Sequence, residues 1–179
     1  IVQIIEAIFY VYIAYAMYNV KENTIAARRY ADWFLTTPIM LLSTIMFMVY
    51  EIKKRMAKSI GTVQFLTENS KNLMEIIFYN FVMLVFGFLG ETRVLNKLMS
   101  VGVGFIFFGL SFYKIWDNYA KYLPVTRNLY YFLITIWGVY GLSALMPVLE
   151  KNIAYNFLDI VSKNFYGLFI FYEIMKNRI

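Results

Sequence analysis

Ile153-Ala154-Tyr155-Asn156-Phe157-Leu158-Asp159-Ile160-Val161-Ser162-Lys163-Asn164-Phe165-Tyr166-Gly167-Leu168-Phe169-Ile170-Phe171 is an apolar run with an aspartate and a lysine at its centre. Its length approaches the ~20 residues that cross a bilayer as a helix. The i,i+4 spacing sets Asp159 and Lys163 on one helix face. A lone ammonium in hydrocarbon costs roughly 2.5–3.5 kcal/mol even on the most lenient scale, so it is normally neutralised, paired or chemically used. Snorkelling to an interface is the plainer alternative, but apolar residues on both sides put Lys163 too deep for it. A second segment, Arg29-Tyr30-Ala31-Asp32-Trp33-Phe34-Leu35-Thr36-Thr37-Pro38, carries another carboxylate into another apolar stretch. Two carboxylates and one lysine suggest a positively charged lysine adduct held by counter-ions.

Composition agrees with a membrane setting. The 179 residues are 61% hydrophobic and 20% aromatic, whereas soluble domains are nearer 45–50% apolar. The chain has no Cys and no His. Disulfides, thiol nucleophiles, Cys/His zinc sites and the usual catalytic triads are therefore all excluded, and no enzyme is expected. The net charge of +6 reads as loop charge that sets topology rather than as a nucleic-acid surface. Ile1 opens directly into an apolar stretch with no charged leader, so no signal peptide is expected there.

Six apolar stretches are predicted to be helices, over residues 1–18, 27–50, 73–89, 95–116, 123–146 and 153–175. They form an all-α transmembrane bundle in a single domain, residues 1–179. Barrel strands would be half as long and would alternate. The connections are short except 51–72, which carries Lys53, Lys54, Arg55, Lys58 and Lys71. Ten Lys and Arg fall on the side holding the segments 51–72, 114–128 and the C-terminal tail, against six on the other. The positive-inside rule then places the C-terminus in the cytoplasm and brings Arg29 and Asp32 in from the outside.

These residues resemble the microbial (type-1) rhodopsins. Arg29-Tyr30-Ala31-Asp32-Trp33 with Thr36-Thr37-Pro38 looks like their third helix. Asp159 and Lys163, with Phe165-Tyr166-Gly167, look like their seventh. Trp137 and Tyr140 resemble the sixth-helix aromatic pair. Met17-Tyr18 fits the end of the second helix, and Val82-Met83-Leu84 through Gly90-Glu91 is similar to the fourth helix of proteorhodopsin-type members. The short connection 19–27 and the aromatic-rich helices add a likeness to the compact rhodopsins of giant viruses. Two departures stand out. The family has seven helices and this chain opens at the second, which implies a first helix before Ile1. Gly141 also stands where a proline usually follows the sixth-helix Tyr, with a consequence for how that helix bends.

The resemblance implies all-trans retinal covalently bound to Lys163 as a Schiff base, and a buried lysine is independently a good nucleophile toward an aldehyde. Asp32 and Asp159 are then the counter-ions, with Asp32 the proton acceptor. Arg29, Thr36, Tyr18 and Tyr140 complete the counter-ion network. Thr36, four residues after Asp32, is expected to reach its carboxylate; Tyr18 is expected to serve the outer residues and Tyr140 to bond Asp159. Trp33, Thr37, Met40, Gly87, Trp137 and Tyr140 are the expected retinal pocket. Met40 stands where blue-absorbing relatives carry Gln, which favours green absorption.

Efficient pumps of the family place a carboxylate eleven residues after the acceptor; here that position is Ser43. Glu6 is the candidate replacement. Counted at 1.5 Å per residue from Tyr18, it falls about 18 Å toward the cytoplasm, close to the depth of Ser43. Kept protonated by desolvation, it would be a displaced donor or a gate; otherwise it is an interfacial charge. Glu150 is a candidate for proton release, although an interfacial charge is the simpler reading for it and for Glu91. The implied function is an outward, light-driven proton pump. A light-gated cation channel and a photosensor are the rivals, and a lysine-centred transporter or enzyme without retinal comes from a different class. The expected partners are the lipid bilayer, H+ and further copies of the chain, a pentamer before a trimer, with no nucleic acid.

Overall fold

A computed structural model describes residues 1–17 and 24–176. The described residues form six rods. The helices are α1 (Val2–Met17), α2 (Ile25–Arg55), α3 (Thr62–Glu91), α4 (Lys97–Ile115), α5 (Pro124–Ser143), α6 (Val148–Asp159) and α7 (Tyr166–Lys176). The rod of α4 runs on through a π-helical turn, Trp116–Ala120, and α6 joins α7 through a second one, Ile160–Phe165. By length and composition, the rods Ile25–Arg55, Thr62–Glu91 and Lys97–Ala120 suffice to cross a membrane.

Several helices outrun the apolar stretches that announce them. The predicted long connection over 51–72 is the main correction: α2 continues to Arg55 and α3 starts at Thr62, which leaves only residues 56–61 between them. The polar residues there are helical because they satisfy one another. Gln64 Nε2 donates to Glu68 Oε1 at 2.6 Å, and Lys53 of α2 reaches the same carboxylate at 3.2 Å. Local signals set other ends. Asn96 caps α4 by accepting from the Leu98 backbone N–H at 2.9 Å, and Pro124 opens α5, where its missing N–H costs nothing.

The distribution of polarity is that of a lipid-facing bundle. Large apolar side chains such as Val11, Met74, Leu98, Ile106, Phe157 and Leu168 cover the outside, while Arg29, Asp32, Asn80, Asp159 and Lys163 are buried. Outside a membrane this pattern would leave a continuous apolar surface in water. With little hydrophobic drive between helices in lipid, close approach of small residues becomes the main source of packing. That is the design at the α3–α4 contact. The Ser100 hydroxyl bonds the Phe86 carbonyl, and a Cβ added to Gly90 would run into the Ser100 side chain.

Gly90→Val is therefore expected to wedge α3 from α4 and cost about 1–3 kcal/mol. A thermal melt in detergent should show a lower midpoint; an unchanged midpoint would mean the contact is slack.

Candidate functional site

Three rods bring charge to one point. Lys163, 2% exposed, sits in the π-helical turn between α6 and α7. Its Nζ lies 2.5 Å from Asp32 Oδ2 of α2, 3.3 Å from Asp159 Oδ1 of α6 and 3.7 Å from Glu6 Oε1 of α1. Arg29, 1% exposed, lies one turn before Asp32, and its guanidinium donates to Asp159 Oδ2 at 3.2 Å and to Asn156 Oδ1. The rings of Tyr10 and Tyr155 sit 5.7 and 5.9 Å from it. An interfacial, snorkelling Arg29 does not describe this geometry. Burying single charges would be prohibitive, but two cations facing two or three carboxylates form a network in which each charge has a partner.

Asp159 is the most constrained of the carboxylates. Tyr140 donates to its Oδ1 at 2.6 Å and Tyr10 to its Oδ2 at 2.8 Å. Asp32 is held differently. The expected bond from Thr36 to its side chain is not made, because the Thr36 hydroxyl turns back to the Asp32 backbone carbonyl at 2.9 Å, the usual local preference of a helical Thr. Asp32 Oδ1 consequently has no hydrogen-bond partner among the described residues.

The first helix enters in a register different from the expected one. Tyr18 lies outside the described residues; among the described residues of the first helix, Tyr10 is the tyrosine that meets Arg29 and Asp159. An eight-residue offset displaces the count by about 12 Å along the helix. Glu6, one turn from Tyr10, thus comes level with Lys163 and does not share the depth of Ser43. On the same helix face Gln3 donates to the Lys163 carbonyl at 3.2 Å, an acceptor within the π-helical turn. Gly167 is what admits Gln3, since an added Cβ would collide with its amide. Glu6 and Gln3 also border a cleft shared with Ala7, Tyr10, Asn156, Ile160 and Asn164. Ser43 is engaged elsewhere: its hydroxyl pairs with Tyr166 at 2.8 Å.

An apolar cavity of about 780 Å³, open mouth included, leads away from Lys163. Trp33, Thr37, Met40, Gly87, Trp137 and Tyr140 all line it, with Met83, Phe105, Phe108 and Ser162. Its apolar lining with a few polar groups at one end is that of a small-molecule site. The glycines matter: a Cβ on Gly87 would come 2.5 Å from the Tyr30 hydroxyl, and one on Gly141 would come 2.7 Å from the Phe105 ring. Asn80, which the sequence reading passed over, bonds Thr37 Oγ1 at 2.8 Å and fastens α3 to α2 beside the cavity. A lone Asn within the apolar run 73–89 was the available signal.

Glu150 is exposed in the first turn of α6, and among the described residues no contact brings it to the Arg29 cluster. Glu91, read as an interfacial charge, is buried against Lys151 at 2.5 Å, with side-chain exposures of 6% and 5%. Lys151 follows Glu91 by sixty residues, too far for local spacing to reveal the pair.

A buried lysine framed by carboxylates at the end of an aromatic-walled cavity, in a bundle of membrane-crossing helices, defines a microbial rhodopsin. Residues 1–177 match the family described as Bacteriorhodopsin-like protein, and the chain belongs to it. The chain is 23% identical over 165 residues to the green-light absorbing proteorhodopsin of Gamma-proteobacterium EBAC31A08, covering 83% of this chain and 61% of that protein. A green-light absorbing proteorhodopsin from an unknown prokaryotic organism matches at the same 23% identity, with 60% of its length covered. The chain thus spans about three fifths of the length of these curated relatives. The crystal structure of viral rhodopsin OLPVRII is similar with a TM-score of 0.85 and 30% identity, over 98% of this chain and 78% of that one. The protein is a multi-pass membrane protein, and its family implies retinal bound to a lysine. The residues present fit that group: the cavity is apolar, has Trp33 and Trp137 in its walls and ends at an amine.

Breaking a buried ion pair strands a charge at a cost of about 3–5 kcal/mol, whereas replacing both partners by apolar groups is often neutral. Glu91→Gln should therefore lower the thermal midpoint sharply, and Glu91→Leu/Lys151→Met should restore most of it. Equal losses in both variants would show the pair to be solvated.

Proposed function

We propose that this protein is a light-driven pump that moves protons outward, with all-trans retinal carried on Lys163. The observation that carries the reading is the position of Lys163 Nζ, within 3.7 Å of three carboxylates from three different rods and at the end of the apolar cavity. Retinal bound there would supply absorption of visible light and an isomerisation that re-aims the N–H bond of the lysine nitrogen.

The chain's own groups divide the remaining work. Asp32 Oδ2 is the nearest base to Nζ and carries an uncommitted second oxygen, so it accepts the proton. Asp159, bonded by Tyr10, Tyr140 and Arg29, stays as a fixed counter-charge. Arg29 sits on the outer side of both and stabilises their negative charge as the proton leaves outward. Glu6 returns a proton to the lysine nitrogen. Arg29 and Lys163 already balance Asp32 and Asp159, so Glu6 holds its proton as a neutral acid until the nitrogen has lost its own. Its cleft with Gln3 and Asn164 supports supply from the cytoplasmic side. Met40 in the cavity wall supports green absorption. The charge asymmetry of the connections supports a cytoplasmic C-terminus, and the proteorhodopsin-like sequence of α3 supports a pentamer over a trimer, which native mass spectrometry of the purified protein would count.

One observation favours a second reading. The same cleft beside Glu6, if hydrated through to Lys163, is the start of a cation path, and the protein would then be a light-gated channel. Voltage clamp separates the two: a photocurrent that reverses with the ion gradient indicates a channel, and a one-way current without a gradient indicates a pump.

Cells supplied with retinal should acidify the medium in light, and a protonophore should abolish the signal. Lys163→Ala should have no visible absorption band. Asp32→Asn should remain coloured and transport nothing, and Glu6→Gln should return the proton about 10²-fold more slowly. A wild-type protein without a visible band would sink the reading in favour of a lysine chemistry that uses no retinal.

A further inference from the structure

We propose that Tyr166 is a proton valve: its hydroxyl, clasped by Ser43 and Thr44, seals the seam between α2 and α7 and obliges the returning proton to pass through Glu6. The proposal rests on the pump reading above.

Tyr166 opens α7, three residues after Lys163. Its hydroxyl lies 2.8 Å from Ser43 Oγ, 2.8 Å from Thr44 Oγ1 and 3.3 Å from the Met40 carbonyl. Ser43 also donates to the Met40 carbonyl at 3.0 Å. Tyr166 and Thr44 are both buried. The cluster is made of hydroxyls and one carbonyl, with no carboxylate. Such a set can order itself by hydrogen bonds but holds no proton that is released near neutral pH, a phenol titrating near 10. It closes a path without being a donor on it.

Its place in the fold gives that closure a purpose. Ser43 and Thr44 follow Asp32 by eleven and twelve residues on α2, so the cluster lies roughly 16–18 Å along the helix on the cytoplasmic side of the acceptor. Apolar groups continue the seal beyond it. Ile45 and Met48 are fully buried, and the rings of Phe47 and Phe169 join α2 to α7 edge to face at 6.3 Å. The opposite side of the last rod carries an amide and an acid instead. There Gln3 holds the Lys163 carbonyl and Glu6 stands 3.7 Å from Nζ, both bordering the cleft with Asn164. Lys163 thus has one flank closed by bonded hydroxyls and packed apolar groups and one flank with an acid on it. Buried hydroxyls that lose their partners must find new ones, and water entering along the α2–α7 seam is the available replacement.

The test uses the full chain with retinal in lipid nanodiscs, following recovery of the visible band after a flash in wild type, Glu6→Gln, Tyr166→Phe and the double variant. Recovery should slow about a hundredfold in Glu6→Gln. In the double variant it should quicken at least tenfold from there and become proportional to bulk proton concentration, because the seam then admits water. Hydrogen–deuterium exchange in the dark gives a readout independent of transport. Backbone amides of residues 40–48 should exchange at least tenfold faster in Tyr166→Phe, while Thr44→Ser, which keeps a hydroxyl, should match wild type. If Tyr166→Phe does not fold, Ser43→Ala and Thr44→Val cut the same bonds from α2 and are held to the same criteria. A double variant as slow as Glu6→Gln, or recovery already fast in Glu6→Gln, overturns the valve and leaves the pump standing. A wild type that is colourless or moves no protons in light removes the parent reading instead.

Discussion

Everything else in the bundle follows from keeping one ammonium out of water. Lys163 cannot sit in an apolar bundle alone, and each carboxylate that answers it comes from a separate rod: Asp32 from α2, Asp159 from α6 and Glu6 from α1. Those carboxylates create a second demand, which Arg29, Tyr10 and Tyr140 meet. The cluster therefore fixes the relative height of four rods far more sharply than apolar packing could, since sliding any one by a turn would strand a charge. A site assembled this way is both the strongest tie between the helices and the place where moving a single proton changes most.

The aromatic walls and the charge cluster are parts of one arrangement. Trp33 meets Tyr140 and Tyr155 edge to face at 5.4 and 5.0 Å, and those tyrosines stand between the cavity and the Arg29 network. Rings placed so give shape to the apolar side while their hydroxyls serve the polar one. Tyr140 does both, lining the cavity and bonding Asp159 and Ser162.

Much of this was legible from residues alone, wherever a polar group interrupts an apolar run. Asp32, Asp159 and Lys163 announce themselves in that way, whereas Trp137 and Tyr140 were placed at the cavity by resemblance to the family's sixth helix. Register between rods was not legible. Glu6 was recognisable as an acid near the path, but its height depended on how the first helix is set against α2, which only packing decides. The pairs Glu91–Lys151 and Ser43–Tyr166 join residues sixty or more positions apart, beyond the reach of local spacing. The extent of α2 and α3 was under-read for a related reason: hydropathy marks the apolar part of a helix, not the polar turns that extend past it.

The π-helical turn at Ile160–Phe165 has a mechanical consequence. An α-helix transmits bending and twist because each carbonyl is tied to the N–H four residues on. Around Lys163 that ladder changes step, and the Lys163 carbonyl is held by Gln3, a side chain of another rod. The last rod is thus tied differently on the two sides of this turn, α6 through Asp159 and Asn156 to Arg29 and α7 through Tyr166 to α2. A disturbance at Lys163 therefore meets different restraints on its two sides, a charged clamp toward α6 and a hydroxyl tether toward α7.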